Sequence, residues 1–240
     1  IPNQVRVGEH TLLDRLTINL PALFAEAGKP NYKTSTSAPS AEIVRRYLQF
    51  LASHYESIIV ISLSSRLSST YQIMQNQAEH VSNATGVKIN VVDSHSICAG
   101  HGLLVMKAAK LLDEGTTHDA LVKALDVERD KIRIYVAIDE MKTMRESGRL
   151  SKVFHKIADW GHLKPLLSLD KSGQTTLAGI ALGKHKAWKK IFSLLKKHLK
   201  SITNGTILLS HTSTQEIAKE FAQEFVNATG ADITAVCDTS

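Results

Sequence analysis

The stretch Ser64-Ser65-Arg66-Leu67-Ser68-Ser69-Thr70-Tyr71-Gln72 gathers five serine and threonine hydroxyls just ahead of an apolar periodicity, Ile73, Met74, Ala78 and Val81. That spacing predicts a helix with one buried face. The first amides of a helix have no internal partner, and the macrodipole adds partial positive charge there. Hydroxyls at such a start have two uses. Ser68 or Ser69 can accept from an early amide as an N-cap. Alternatively, the hydroxyls of Ser68, Ser69 and Thr70 join the amides as donors to a carboxylate or phosphate. The residues alone leave both uses open.

The elements around this stretch decide where it sits. Ile58 to Ile61 is a continuous β-branched run that reads as a buried strand over 57–62, and the helix follows from 69 to about 83. A strand-to-helix junction of this kind is where open α/β sheets keep their ligands. Val87 to Val92 gives a second strand that ends at Asp93-Ser94, and Ile132 to Ile138 a third. Asp93 reads equally as a loop cap and as a site residue, and His95 and His101 beside it offer an acid–base alternative. Upstream, Val5-Arg6-Val7 reads as an edge strand and 18–24 as a short irregular or helical piece. Thr34 to Ser40 reads as a polar loop in which Ser37 caps a helix entered at Pro39. Helices follow at about 100–113, closed by Gly115, and from Thr116 or Thr117 to about 127.

Past residue 138 the pattern changes. Asp139 caps a short helix to about 146, and another helix covers about 150–159. Lys164 to Leu169 and Thr175 to Leu182 form a hairpin through Lys171-Ser172-Gly173-Gln174. A basic helix covers about 185–201, and Thr206 to Ser210 is a strand. Ser213-Thr214-Gln215-Glu216 matches a capping box before a helix at 214–227, and Ile233 to Cys237 is the last strand. The chain therefore reads as α/β in two parts: a larger domain over 1–147 with a mainly parallel sheet, and a smaller mixed-sheet domain over 148–240.

Composition narrows the function. The 240 residues carry a net charge of +6, 43% apolar and 22% charged residues, and no run long enough to span a bilayer. Much of the charge lies in Lys184, Lys186, Lys189, Lys190, Lys196, Lys197 and Lys200. Ala187, Trp188, Ile191, Phe192, Leu195 and Leu199 supply the matching apolar stripe, so the lysines read as the solvated face of a packed helix. No nucleic-acid partner follows, and at most transient contact with a membrane surface. Cys98 and Cys237 form no disulfide framework or zinc pattern, which fits a reducing cytoplasm. No G-x-G-x-x-G, phosphate loop, metal-spaced histidine pair or G-x-S-x-G elbow occurs, so no cofactor is called for. The start, Ile1-Pro2-Asn3-Gln4, has no signal-peptide pattern and no initiator Met, and reads as that of a processed or excised chain.

Five polar motifs stand in order: Thr36-Ser37-Ala38-Pro39-Ser40 within 34–40, Leu67-Ser68-Ser69-Thr70-Tyr71-Gln72, Asp93-Ser94, Ser147-Gly148-Arg149-Leu150 and Lys164-Pro165-Leu166. Together they resemble the DegV family of bacterial fatty-acid-binding proteins, whose motifs read T-S-Q-P-S, L-S-G-T-Y-Q, D-S, G-G-R-I and K-P-I. The resemblance implies a DegV-like fold of two α/β domains. A long-chain fatty acid is held between them, its acyl chain buried and its carboxylate at Ser68, near Thr36, with the Ser69 N–H facing it. It implies that Arg149 lies at the site edge or faces a partner, as do Asp93 and Ser94. It further implies a separate kinase subunit, similar to dihydroxyacetone kinase, that makes acyl-phosphate. The binding protein is then itself no enzyme. Ser69 replaces the family's Gly, Ala38 its Gln, and Ser147 the first Gly of its turn. The family's early D-S strand and late H-x-G-x-G segment are absent, which reads as a fragment or a divergent member. Two rival functions use the same residues: an enzyme for a phosphorylated small molecule, akin to dihydroxyacetone kinases, and a basic interaction module acting through 184–200.

Overall fold

The computed structural model describes residues 1–7, 9–14, 16, 17, 21, 23, 25, 34–138, 163–199, 205–212 and 214–238. They group into two compact units, Ile1–Ser94 with Leu104–Arg129 and His95–Leu103 with Asp130–Thr239. The expected boundary at 147/148 lies outside the described residues, as do the short helices expected over 139–159.

The first unit opens with three strands, β1 (Gln4–Val7), β2 (His10–Leu13) and β3 (Thr34–Ser37), in the antiparallel order β2-β1-β3. Val5 pairs with Leu12 on one side and Thr36 on the other, so the expected edge strand is the central one. The segment read as a loop supplies an edge. Four hydroxyl residues, Thr34-Ser35-Thr36-Ser37, look like loop composition, but all four are exposed and meet no apolar requirement in a solvated strand. Helix α1 (Ala41–Ala52) follows. Its cap is Ser40 rather than Ser37: Ser40 Oγ accepts from Ile43 N at 3.2 Å. Pro39 is fully buried just ahead of it.

Strands β4 (Ser57–Ser62) and β5 (Lys88–Asp93) pair in parallel from Ser57↔Lys88 to Ser62↔Asp93, joined by helix α2 (Thr70–Thr85). The expected periodicity is realised. Met74, Ala78 and Val81 from α2 close on Val44 and Leu48 from α1 and Ile58 from β4. Helix α3 (Cys98–Asp113) ends at Gly115, whose φ of 82° lies in the left-handed region that favours glycine. Helix α4 (His118–Arg129) then buries Leu121 and Leu125.

In the second unit, β6 (Tyr135–Ala137), β7 (Leu163–Leu169) and β8 (Thr175–Leu182) form an antiparallel sheet in that order. This corrects the third strand expected of the parallel sheet: β6 pairs antiparallel to β7, Tyr135 opposite Ser168. Its alternation carries no information about direction, and only the partner strand sets it. The β7–β8 hairpin turns where expected. Asp170 Oδ1 accepts from Ser172 N at 2.8 Å and Gln174 N at 3.1 Å, and Gly173 takes a φ of 81°. Helix α5 (Lys184–Leu199) buries Ala187, Trp188, Ile191 and Phe192 and exposes Lys186, Lys189, Lys196 and Lys197. Strand β9 (Leu208–His211) pairs in parallel with β10 (Ala235–Asp238) across helix α6 (Gln215–Thr229). The serine of the expected capping box, Ser213, lies outside the described residues. Thr214 occupies the N-cap without a side-chain cap bond. Phe221 and Phe225 of α6 meet Trp188 and Phe192 of α5 edge to face, with ring centroids 5.1–5.5 Å apart.

Candidate functional site

The parallel pair β4–β5 ends on three small polar residues, Ser62, Asp93 and Ser94, all buried. Ser94 N donates to Ser62 O at 3.0 Å, so one rung continues past the last paired residues. The chain leaving β4 then turns tightly. Arg66 N donates to Ser64 Oγ at 3.2 Å and Leu67 N to Ser64 O at 3.1 Å, with Ser64 fully buried. Ser65 N donates to both Asp93 oxygens at 3.3 Å. Asp93 is thus a fastener: its carboxylate ties the β4–α2 turn to the end of β5.

The turn delivers Ser68 to the start of α2. Thr70 N donates to Ser68 Oγ at 3.2 Å, and the Ser68 and Thr70 hydroxyls share a hydrogen bond of 2.8 Å. Thr70 is buried and Ser68 half-buried. Ser69 stands at the N-cap with φ −71° and ψ −1°, exposed, and makes no side-chain cap bond. The N-cap alternative therefore fails for Ser69, and Ser68 reaches only the amide two residues on. Ser68 Oγ accepts from Thr70 N, and with Thr70 Oγ1 as the donor of the shared hydroxyl bond the Ser68 proton faces outward to a ligand. Beside it lie the first-turn amides and the positive end of a 16-residue helix. The chemistry on offer is binding of an anion without a metal.

The other expected site residues fall as follows. Thr36 lies in β3 opposite Val5, exposed. Ser94 is buried behind the Ser62 rung. Arg149 lies outside the described residues. Ser62 and Arg129 have no part in the sequence-based site, and Ser64 enters it only as the first residue of the hydroxyl stretch; Arg129 Nη1 donates to Asp93 O at 3.0 Å. The clue to Ser64 was its position two residues past the end of β4, where a buried turn needs a side-chain acceptor. Arg129 left no local signal, because its partner is 36 residues away. His95, the acid–base candidate, has its Nδ1 bonded to Lys171 O at 2.7 Å in the second unit.

The second unit contains a cavity of about 630 Å³, within the roughly 300–1,000 Å³ span of small-ligand pockets. Among its lining residues are Leu103, Val136, Leu167, Trp188, Leu209 and Phe221. Tyr135 also lines it, and burial raises the pKa of its hydroxyl while the charge on Arg133 opposes the shift. One group among the described residues brings metal-type ligands within 4.8 Å of one another, His185 of α5 with Glu220 and Glu224 of α6. Lys184 Nζ already sits 2.9 Å from Glu220 Oε2, so a cation is present without a metal.

Residues 1–238 match the family model described as "Uncharacterised protein, DegV family". The chain belongs to the DegV family. A DegV domain-containing protein of Clostridium acetobutylicum is 27% identical over 198 residues, covering 82% of this chain and 65% of that relative. The chain thus spans just under two thirds of that relative's length. Among solved structures, a stearic-acid-binding protein of Eubacterium ventriosum matches with a TM-score of 0.89 at 20% identity, covering 98% of this chain and 81% of that one. The fatty acid kinase B3 protein of Streptococcus pneumoniae, loaded with linoleic acid, matches with a TM-score of 0.86 at 18% identity, covering 98% and 83%. These likenesses establish the two-part α/β fold expected of the family. Among the described residues no helix is long and apolar enough to cross a membrane.

Proposed function

We propose that this chain binds a long-chain fatty acid and receives its carboxylate at the start of α2. The observation that carries the reading is the Ser68 turn: a half-buried hydroxyl at the start of a 16-residue helix, on a turn that Asp93 ties to β5 through Ser65 N. DegV membership makes a fatty-acid carboxylate the anion of choice, and the named ligands of the two solved relatives, stearic and linoleic acid, belong to that class. Thr36 Oγ1 and the Ser69 N–H are the further donors in this reading. An acyl chain needs apolar walls, and each methylene removed from water gains about 0.8 kcal/mol.

On this reading the protein is a cytoplasmic carrier rather than an enzyme, needs no cofactor, and presents its ligand to a dihydroxyacetone-kinase-like subunit for acyl-phosphate formation. Mass spectrometry of lipid released from the denatured protein, paired with palmitate titration of delipidated protein, tests it. A long-chain acid in near-stoichiometric amount and saturable palmitate binding are expected. Absence of both sinks the reading. Turnover of a triose phosphate by the purified chain would transfer the same turn to the phosphate-ligand alternative.

A further inference from the structure

Arg129 is the last residue of α4, far in sequence from the Ser68 turn, and its guanidinium is spent on that turn's foundation. Its side chain is only 22% exposed. Nη1 donates to Asp93 O at 3.0 Å and lies 2.8 Å from Asp126 Oδ1 one helical turn back. Nε is buried without a partner among the described residues. A surface arginine keeps its donors in water. This one gives up hydration at Nε to reach a single backbone carbonyl, and that carbonyl belongs to the residue whose carboxylate holds Ser65 N. Asp93 is the last paired residue of the β4–β5 ladder, and its carbonyl accepts from Arg129. The rung from Ser94 N to Ser62 O holds one face of the 93–94 peptide, and Arg129 holds the other.

We propose that Arg129 is a positioning residue for the anion-binding turn. It fixes the Asp93 peptide, Asp93 fixes Ser65, and the Ser64–Leu67 turn then sets Ser68 against Thr70. The consequence for ligand rests on the fatty-acid reading; the relay itself does not. Hydrogen exchange of the ¹⁵N-labelled full chain without ligand tests the relay directly. In Arg129→Ala the Ser65 amide should exchange about tenfold faster or more, the equivalent of one lost charge-assisted bond. The ladder amides of Val60 and Val91 should keep their protection. Asp126→Asn, which leaves the Asp93 bond intact, should change neither, and Arg129→Lys should restore part of the Ser65 protection. Unchanged Ser65 exchange in Arg129→Ala overturns the proposal, as does equal acceleration of the ladder, which would mark general loosening. If Arg129→Ala does not fold, Arg129→Gln carries the same comparison.

Palmitate affinity supplies the second readout. Arg129→Ala should bind several-fold more weakly, and Ser68→Ala/Arg129→Ala no more weakly than Ser68→Ala alone, since Arg129 acts through Ser68. Additive losses would overturn the relay. A wild-type chain that binds no palmitate sinks the fatty-acid reading, while the exchange result still decides the role of Arg129.

Discussion

At position 69 this chain has a serine where the motif it resembles has glycine, and the backbone there accepts either residue. Ser69 takes φ −71°, an angle open to every residue, so no left-handed conformation demands glycine there. Its hydroxyl makes no cap bond and its side chain is exposed. Ser69→Ala should therefore change unfolding free energy by no more than about 0.5 kcal/mol, the usual range for an uninvolved surface position. A loss above about 1 kcal/mol in urea denaturation would mean that the hydroxyl does cap the helix. Ser68 is the opposite case. Its hydroxyl is engaged with Thr70 and half-buried, and on the fatty-acid reading it donates to a charged oxygen. Ser68→Ala should weaken palmitate binding by about 1.5–3 kcal/mol, roughly ten- to a hundredfold, the value of one charge-assisted hydrogen bond. Titration calorimetry on delipidated protein reads this directly, and an unchanged affinity removes Ser68 from the site.

Helix packing makes the sharpest element-scale prediction in the second unit. Phe225 of α6 is fully buried against Phe192 and Phe221. Phe225→Ala should cost about 3–5 kcal/mol, because the cavity adds to the lost transfer energy. A drop under about 1 kcal/mol in denaturant midpoint analysis would show that α5 and α6 repack freely. These helices were legible in the sequence because their apolar stripes repeat at the helical period: Trp188, Ile191 and Phe192 on α5 fall on the face that is buried. The Ser68 turn was legible for a related reason, since a β-branched run, a hydroxyl cluster and a helical periodicity follow one another without a gap. What could not be read was pairing. Val5 to Val7 alternates as any edge strand does, yet Thr36 and Leu12 flank Val5 on its two sides. Thr34 to Ser37 has no apolar residue to announce a strand. Tyr135 to Ala137 gives no sign that β7, not β5, is its neighbour. Asp93 was legible as a candidate but not as the fastener of Ser65, because that bond spans 28 residues.

At the scale of the whole molecule, two half-buried imidazoles among the described residues tie stability to acid. His118, whose Nε2 lies 2.8 Å from Asn90 Oδ1, is shifted below the ordinary imidazole range by burial first and by Lys88 second, with Asp119 opposing. His198 is shifted the same way by burial, then by Arg133 and Lys197. A lowered folded-state pKa means that the unfolded chain binds more protons through this range, so stability rises with pH there. The contribution is complete above the unfolded imidazole pKa and is lost as pH falls toward the lower folded values. Unfolding free energy should therefore decline from about pH 7 to about pH 5. His118→Gln and His198→Gln should each flatten part of that decline, the first in one compact unit and the second in the other. Asp119 works in a separate window. Its hydrogen bond and charge interaction with Lys88 lower its pKa, so its contribution is lost only as pH falls on through the carboxylate range. Urea denaturation at a series of pH values separates the two. A decline between pH 7 and pH 5 that survives in the His118→Gln/His198→Gln double variant would assign the acid sensitivity to other groups.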